Sequence, residues 1–250
     1  MRALVAVWRF EVLRLLRSWK FLLTTVGFPV LFYLLFLGDR STSEIVFGGV
    51  PWREYLMVSM ISFGALNAAL NAGGSRLAME RASGWARQLR VTPIPAWSYV
   101  ATKVTASMLV VLPVVCLVEL LGATYGSVHL APAAWVGLTV LMWVTALPFA
   151  TLGVFVGFVV NTEAVFPVVS GLLFVLGYFG GLFNPVNKMP GVLQGIAHAL
   201  PNFSHLSLGL DVLDGRALSG PHWLVLVAYT AVLGAGIIVK HRLEEARGVA

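Results

Sequence analysis

Long uninterrupted runs of apolar residues constrain the fold of this chain more than any other feature of its sequence. A helix needs about 20 apolar residues to cross a bilayer, and six runs have about that length without the alternating polarity of strands. Only 11% of the 250 residues are charged, far below the roughly 25% of soluble domains. We therefore predict one all-α integral membrane domain over residues 1–250, with six transmembrane helices at residues 21–37, 55–74, 98–121, 132–160, 164–183 and 221–239.

Pro148 lies inside the fourth run, which is longer than a bilayer requires. Proline lacks a backbone donor and clashes with the preceding turn, so it kinks a helix. We expect a kink at this position, because neighbouring helices can satisfy the freed carbonyl in a membrane protein.

Lysine and arginine are distributed unequally between the two sides that six spans define. The N-terminal segment, the segment after the second span and the C-terminal tail hold thirteen of them when Lys103, just inside the third span, is included, whereas the opposite loops hold four. Cytoplasmic loops of membrane proteins are enriched in these residues. We therefore predict a multi-pass protein of the inner or plasma membrane with both termini in the cytoplasm. This basic rim accounts for the net charge of +6 without a nucleic-acid partner.

Residues 1–20 have the pattern of an amphipathic helix. Trp8 and Trp19 fall on its apolar face. Tryptophan on one face and cations on the other are typical of a helix that lies in the membrane interface. We predict such an interfacial helix here; docking on a partner protein is a second interpretation, and both can hold together. The basic face includes Arg9, Arg14 and Arg17.

A short basic segment, RLAMERASGWARQLRVTPIP, separates the second span from the third. We predict a cytoplasmic helix over about residues 76–92, since Pro93 and Pro95 restrict where a helix can end. In one interpretation the segment is a positively charged loop without a partner. In the other it transmits motion, because it stays outside the membrane, offers apolar anchors at Trp85 and Leu89, and is tied to two spans.

The motif in this segment resembles the signature of the ATP-binding-cassette type-2 permeases. That signature is a glutamate often followed by arginine, a glycine four residues after the glutamate, a leucine five residues further on, and an exit that contains proline. Glu80, Gly84, Leu89 and Pro93 match it in order and spacing. Together with the six spans, the N-terminal helix and the broken outer segment described below, the resemblance covers essentially the whole chain.

The resemblance implies that this segment is a coupling helix, which docks in a cleft of a separate ATPase subunit. It also implies pairing with a second copy of this chain or with a related permease. ATP and magnesium would be bound by the ATPase partner, and we expect no cofactor in this chain. The residues expected to couple to the ATPase are Glu80, Arg81, Gly84, Trp85, Arg87, Leu89 and Pro93.

The sequence offers no nucleotide site or enzyme motif of its own. A phosphate-binding loop requires Gly-x4-Gly-Lys-Ser/Thr, and no glycine pair in the sequence is followed by that lysine. An embedded enzyme would need a motif such as His-Glu-x-x-His, which does not occur. An ion-driven carrier typically has internal repeats and several ionisable residues within its spans, and Glu119 alone lies well within one.

An apolar segment too short to cross the membrane lies between the fifth and sixth spans, and Pro201 interrupts it. We predict a re-entrant hairpin of two short helices over residues 189–213, which requires that protein or water cover its backbone. Such a hairpin is thought to form the outer gate in the resembled family; a surface-lying helix pair is the alternative. The histidines fit no compact metal site and are interpreted as loop residues at an interface. The residues assigned to the gate are Gln194, His198, Pro201, Phe203 and His205.

Polar residues within the spans are few, and each is a candidate for function. Glu119 lies near the outer end of the third span, where it either lines a pathway or reaches the outer interface. Asn67 and Asn71 lie one turn apart on the second span and are candidate pathway residues, although hydrogen bonds between helices explain them more simply. Gly153 and Gly157 are spaced for close helix packing.

The expected function is that of a membrane permease subunit in an ATP-driven exporter. The small outer loops favour a compact amphipathic cargo, drug-like or lipid-like, that leaves the cytoplasm. A glycan or a lipid-linked polymer is the alternative cargo. An ion-driven carrier and a membrane-embedded enzyme are rival classes, which copurification with an ATPase would exclude.

Overall fold

The computed structural model describes residue 8 and residues 17–38, 45–47, 49–83 and 96–246. Five helical stretches in this part of the chain are long and apolar enough to cross a membrane, and Leu23–Leu37 is a shorter apolar helix. The architecture is therefore that of an all-α membrane protein, while a sixth span remains a prediction.

Ten helices and two short strands make up most of the described part of the chain. The strands are β1 (Ile45–Phe47) and β2 (Val50–Pro51), which pair antiparallel. A π-helical turn covers Asn71–Ser75 and a 3-10 turn covers Val186–Lys188. The helices are α1 (Trp19–Leu37), α2 (Trp52–Leu70), α3 (Arg76–Ala82), α4 (Ala96–Thr124), α5 (Pro132–Val144), α6 (Leu147–Val159), α7 (Thr162–Phe179), α8 (Gly191–Ala199), α9 (Pro201–Leu213) and α10 (Gly220–Ala246).

Helix α2, the π-helical turn and α3 form one continuous helical rod of 31 residues, from Trp52 to Ala82. The structure places no break at residue 76, where the coupling helix was expected to begin. Leu77 and Ala78 are buried and continue the apolar packing beyond the π-helical turn, so the helix has no reason to end there. Residues 84–95 lie outside the described part of the chain.

A kink was expected at Pro148, and the structure instead has a short break between α5 and α6, just before this residue. Pro148 lies in the first turn of α6, where a helix leaves its N–H groups unpaired and a missing one has no cost. The N–H of Thr145 donates to the carbonyl of Leu141 at 2.9 Å. The chain therefore keeps its helical hydrogen bonds up to the break.

Helix α2 is the centre of the bundle. In the apolar part of the rod 94% of the residues are buried, against 22% in α7 and 11% in the spanning part of α10. Helices α1, α4, α6 and α9 pack around α2. Helices α7 and α10 therefore present most of their surface outward, where the acyl chains of a bilayer would cover it.

Glycines allow α6 to pack closely on the π-helical turn. A Cβ atom added at Gly157 would lie 2.8 Å from the carbonyl oxygen of Gly73, and one added at Gly73 would lie 2.9 Å from the backbone nitrogen of Val154. Both distances are shorter than real Cβ contacts, so a larger residue would push the helices apart. This is the close approach that small residues permit between membrane helices.

Candidate functional site

The two charged residues of the motif face into the protein. Glu80 on α3 forms an ion pair with Lys103 on α4, and each side chain is only 4% exposed. The Lys103 Nζ also lies 5.5 Å from the ring centroid of Tyr99, within the range of a cation–π contact. Two buried opposite charges that satisfy each other hold α3 against α4.

Arg81 binds the end of α6. Its Nη1 donates to the carbonyl of Gly157 at 3.2 Å and to the carbonyl of Phe158. Its guanidinium group lies 5.3 Å from the ring centroid of Phe158. The last carbonyls of a helix lack partners within the helix and carry partial negative charge. Arg81 therefore caps α6 and links it to α3.

The structure describes only some of the other residues that were predicted to lie on the cytoplasmic side. Trp8 and Arg17 are helical and exposed. Trp19, which is 65% exposed, begins α1 itself, so it belongs to the first apolar helix rather than to a separate interfacial helix. The predicted residues that lie outside the described part are Arg9 and Arg14 of the N-terminal helix and Gly84, Trp85, Arg87, Leu89 and Pro93 of the coupling segment.

An apolar cavity of about 430 Å³ lies between α1, α2, α7 and the turn after α7. Seven phenylalanines line it, and its described lining residues include no charged side chain. The ring centroid of Phe63 lies 5.8 Å from that of Phe32 and 5.2 Å from that of Phe183, so these three rings form one aromatic cluster in the wall. The volume falls in the range of small-molecule pockets.

Asn67 and Asn71 form the polar strip of the cavity wall. Asn67 Nδ2 donates to the carbonyl of Thr25 on α1 at 3.1 Å. Asn71 Nδ2 donates to Asn67 Oδ1 at 2.8 Å, and Ser75 Oγ donates to Asn71 Oδ1 at 3.4 Å. An amide oxygen has two lone pairs, so both oxygens can accept a further hydrogen bond. Asn67 thus bonds to α1, whereas Asn71 bonds within the rod, and both present acceptors to the cavity.

Glu119 is enclosed between α4 and α5 and does not line this cavity. Thr139 Oγ1 donates to its Oε2 at 2.5 Å. Its Oε1 is buried without a hydrogen-bond partner in the described part of the chain. The side chain is 7% exposed, so the structure places it inside the protein rather than at an exposed outer rim.

The predicted outer hairpin consists of α8 and α9, with the bend at Leu200. Pro201 occupies the first turn of α9. The segment from Pro201 to Leu210 is buried against α2, α5 and α10, so protein covers the backbone of this arm, as a re-entrant segment requires. Gln194 on α8 donates to the carbonyl of Met189 at 2.8 Å, which steadies the start of the hairpin.

His205 is fully buried on α9, which corrects its interpretation as a loop residue at an interface. Its Nε2 lies 2.9 Å from the carbonyl of Met142, and its Nδ1 lies 2.9 Å from Ser62 Oγ. Because a carbonyl only accepts, Nε2 carries the proton and Ser62 donates to Nδ1. Burial lowers the pKa of His205 to about 4, so a neutral ring joins α9 to α2 and α5.

His198 and His222 flank the ring of Phe203, with centroid distances of 4.5 Å and 5.6 Å. His198 on α8 is exposed and His222 on α10 is half-buried. Both are therefore helical rather than loop residues, and their place at an interface stays a prediction. Within residues 17–38, 45–47, 49–83 and 96–246, no group of three or more His, Cys, Asp or Glu could hold a metal ion.

Comparison with known proteins identifies the family. A model of the family described as ABC-2 family transporter protein matches residues 40–239. The chain belongs to the ABC-2 transporter family. It is 28% identical over 225 residues to "Putative transport permease YvfS" of Bacillus subtilis (strain 168), which covers 88% of this chain and 89% of that protein. It is 24% identical over 202 residues to "Inner membrane transport permease YadH" of Escherichia coli (strain K12), with coverage of 80% and 78%.

The family identification confirms the resemblance drawn from the motif. This ABC-2 protein is a multi-pass membrane transport permease. The match begins before the motif and ends in α10, so it includes α3, the cavity helix α7 and the outer hairpin.

The inward partners of the ABC-2 motif were not predicted from the sequence. In the sequence, Lys103 was counted as one more cation of the cytoplasmic rim. Its position within an apolar run, 23 residues after Glu80, is a signal that could have revealed the pair, because an unpaired charge in such a run is costly. Ser62 and Thr139 offered no comparable signal, since small hydroxyl residues are common between membrane helices.

Proposed function

We propose that this ABC-2 permease is the membrane subunit of an ATP-driven exporter for a compact, uncharged amphipathic cargo, drug-like or lipid-like. Separate ATP-binding-cassette ATPase subunits, which bind ATP and magnesium, supply the energy. A second copy of the chain or a related permease completes the pathway. The observation that carries the proposal is the cavity between α1, α2 and α7, whose phenylalanine wall holds one uncharged polar strip.

The chemistry of the cavity wall favours such a cargo. Aromatic and aliphatic surface buried against the phenylalanines stabilises binding by about 25 cal/mol per Å². An ionised group would lose its hydration without meeting a counter-ion among the described lining residues. A hydroxyl or amide N–H on the cargo can donate to the oxygens of Asn67 and Asn71, which would orient the molecule with its polar end toward α2.

The continuous rod of α2, the π-helical turn and α3 supports a mechanism for coupling. Asn71 begins the π-helical turn, and Ala82 ends the rod on the predicted cytoplasmic side. Because π-helical turns are frequent at functional sites, a turn beside the polar strip is a suitable place for the rod to change shape. ATP binding would draw the ATPases together and displace the coupling segment. The rod would carry that motion to the cavity, and the hairpin of α8 and α9 would yield on the outer side.

Efflux of the uncharged dye Nile red from cells that contain this permease and its copurifying ATPase tests the proposal. Phe63→Ala removes the ring that packs on both Phe32 and Phe183, and Asn71→Leu removes a polar group of the strip. Each variant is expected to lower ATP-dependent efflux about fivefold or more, equivalent to about 1 kcal/mol of cargo binding.

Leu224→Ala is the matched control, because Leu224 on α10 is 72% exposed and an outward-facing substitution typically changes stability by less than about 0.5 kcal/mol. Its efflux should stay near that of the wild type. Efflux that is equal in all variants would exclude the cavity as the cargo path, and efflux that continues without ATP would exclude the ATP-driven exporter.

A further inference from the structure

Glu80 and Arg81 lie on α3, where the rod approaches the predicted cytoplasmic segment. Resting on the proposed function, we propose that Glu80 and Arg81 are positioning residues that clamp α3 to α4 and α6. The cytoplasmic segment then moves together with these helices. Neither side chain makes the contact with the ATPase.

The side chains of α3 differ in whether they face the bundle or the outside. Glu80 is 4% exposed and is occupied by Lys103 inside the bundle. Met79 is 41% exposed, and Ala82 and Ser83 are exposed as well. A partner that approaches α3 from outside therefore meets Met79, Ala82 and Ser83, and it reaches the Glu80 carboxylate only by displacing Lys103.

The consecutive residues Glu80 and Arg81 contact two different helices. Neighbouring side chains on a helix point about 100° apart, so Glu80 and Arg81 reach different neighbours. Glu80 holds α4 through Lys103, and Arg81 holds the carbonyl end of α6 at Gly157 and Phe158. Contacts in two directions prevent α3 from rotating about its own axis or sliding along either helix.

Hydrogen bonds within α3 and within α4 involve the same two residues, and the packing of α6 extends their contacts. Ser83 Oγ donates to the carbonyl of Glu80 at 2.8 Å, and Ser107 Oγ donates to the carbonyl of Lys103 at 2.9 Å. Gly157, which accepts from Arg81, also packs under the π-helical turn at Gly73. A displacement of α3 is therefore transmitted to α4 and α6 at once, and through α6 to the turn beside Asn71.

An ion pair suits this role because it is satisfied in one arrangement only. Loss of either partner takes from the other buried charge the counter-ion that it has in this arrangement. Displacing α3 from α4 therefore costs more free energy when an ion pair joins them than when an apolar contact does, because apolar surfaces can slide past each other. The clamp should therefore fail when one charge is removed and recover when the two charges are exchanged.

Spin-label distances test the clamp without any ATPase or cargo. Labels are placed at Ala82→Cys on α3 and Leu120→Cys, an exposed position on α4, in the full chain in lipid nanodiscs with Cys116→Ser. We expect a narrow distance distribution in the parent protein. Glu80→Gln and Lys103→Gln should each broaden it about twofold or more, because each removes the buried ion pair between α3 and α4. The exchanged variant Glu80→Lys with Lys103→Glu should restore the narrow distribution.

A second label pair, Leu120→Cys with Leu224→Cys on α10, serves as the fold control and should stay unchanged in every variant. A distribution from Ala82 that remains narrow in Glu80→Gln overturns the inference. If Glu80→Gln also broadens the distribution of the control pair, the test uses the exchanged variant, whose control distribution should be that of the parent. In that variant, a narrow distribution from Ala82 supports the clamp, and a broad one overturns it.

ATPase retention and efflux, measured on the copurified complex, distinguish a clamp from a docking contact. A clamp predicts that Glu80→Gln retains the ATPase in the complex but lowers Nile red efflux about tenfold or more, with recovery in the exchanged variant. Loss of the ATPase from the Glu80→Gln complex, without recovery on exchange, overturns the inference. If no ATPase copurifies even with the parent chain, the proposed function fails, and the label distances still decide the clamp.

Discussion

Single buried polar side chains hold the helices of this permease together at the scale of residues. One neutral ring, His205 on α9, reaches α2 through Ser62 and α5 through Met142. A satisfied buried hydrogen bond contributes about 1 kcal/mol, whereas a buried group that loses its partner costs about 1–3 kcal/mol. The bond to Ser62 exists only while the Nδ1 of His205 can accept, so the contact depends on the protonation state of the ring.

Acid is expected to weaken the fold through His205. An unfolded histidine has a pKa near 6.5, and burial lowers that of His205 to about 4, so the unfolded state binds a proton that the folded state refuses. The stability that the neutral ring provides is complete above about pH 6.5 and is lost as the pH falls toward 4, by up to about 3 kcal/mol. Thermal unfolding in detergent at about pH 7 and about pH 5 measures this loss.

His205→Gln removes the titration and retains a hydrogen-bond donor. This variant should be less stable than the wild type at neutral pH by about 1–3 kcal/mol, but its stability should depend less on pH. His198→Gln is the control, because His198 on α8 is exposed, and it should keep the pH dependence of the wild type. Equal pH dependence in the wild type and His205→Gln would contradict the assignment.

The contact between α6 and the π-helical turn determines the spacing of the bundle at the scale of elements. Gly157→Ala is expected to destabilise the protein by about 1–3 kcal/mol, because the new methyl group would lie 2.8 Å from the carbonyl oxygen of Gly73. Gly234→Ala on α10 has no atom within 4 Å of the new methyl group. It should stabilise the protein by about 0.5–1 kcal/mol through helix propensity. Unfolding in detergent compares the two, and the same sign for both would contradict the packing argument.

Local rules predicted some elements of the fold and missed others for a physical reason. An interruption of the helix near Pro148 was predictable, as a kink, because proline acts on its own turn. The continuity of α2 with α3 was not, because Gly73 and Gly74 suggest a helix end. The structure keeps them helical through the π-helical turn and through α6, whose glycines fit against them. That compensation comes from a helix about 80 residues away in the sequence, beyond the reach of any local pattern.

The hydropathy pattern also does not predict how the helices are arranged in the whole molecule. The central rod has a mean hydropathy of 1.4, lower than the 2.0 of the peripheral α10. A helix buried among other helices can carry the small and polar residues that pack between them, whereas an outward-facing helix needs apolar side chains. The candidate site follows the same logic. The sequence identified Glu80, Asn67 and Asn71, but the partners Lys103 and Thr25 depend on which helices are neighbours.

The topology of the whole molecule depends on whether α1 crosses the membrane. Its 19 residues extend about 28 Å as helix, close to the roughly 30 Å of a hydrocarbon core. We predict that it crosses, which gives six spans and places Arg17 and Ala82 on the cytoplasmic side, opposite Leu218. Single cysteines at these three exposed positions, in a Cys116→Ser background, are treated with a membrane-impermeant maleimide. Leu218→Cys should react in intact cells, and the other two only after permeabilisation. Reaction of Arg17→Cys from outside, with Ala82→Cys still protected, would mean that α1 does not cross and that the protein has five spans.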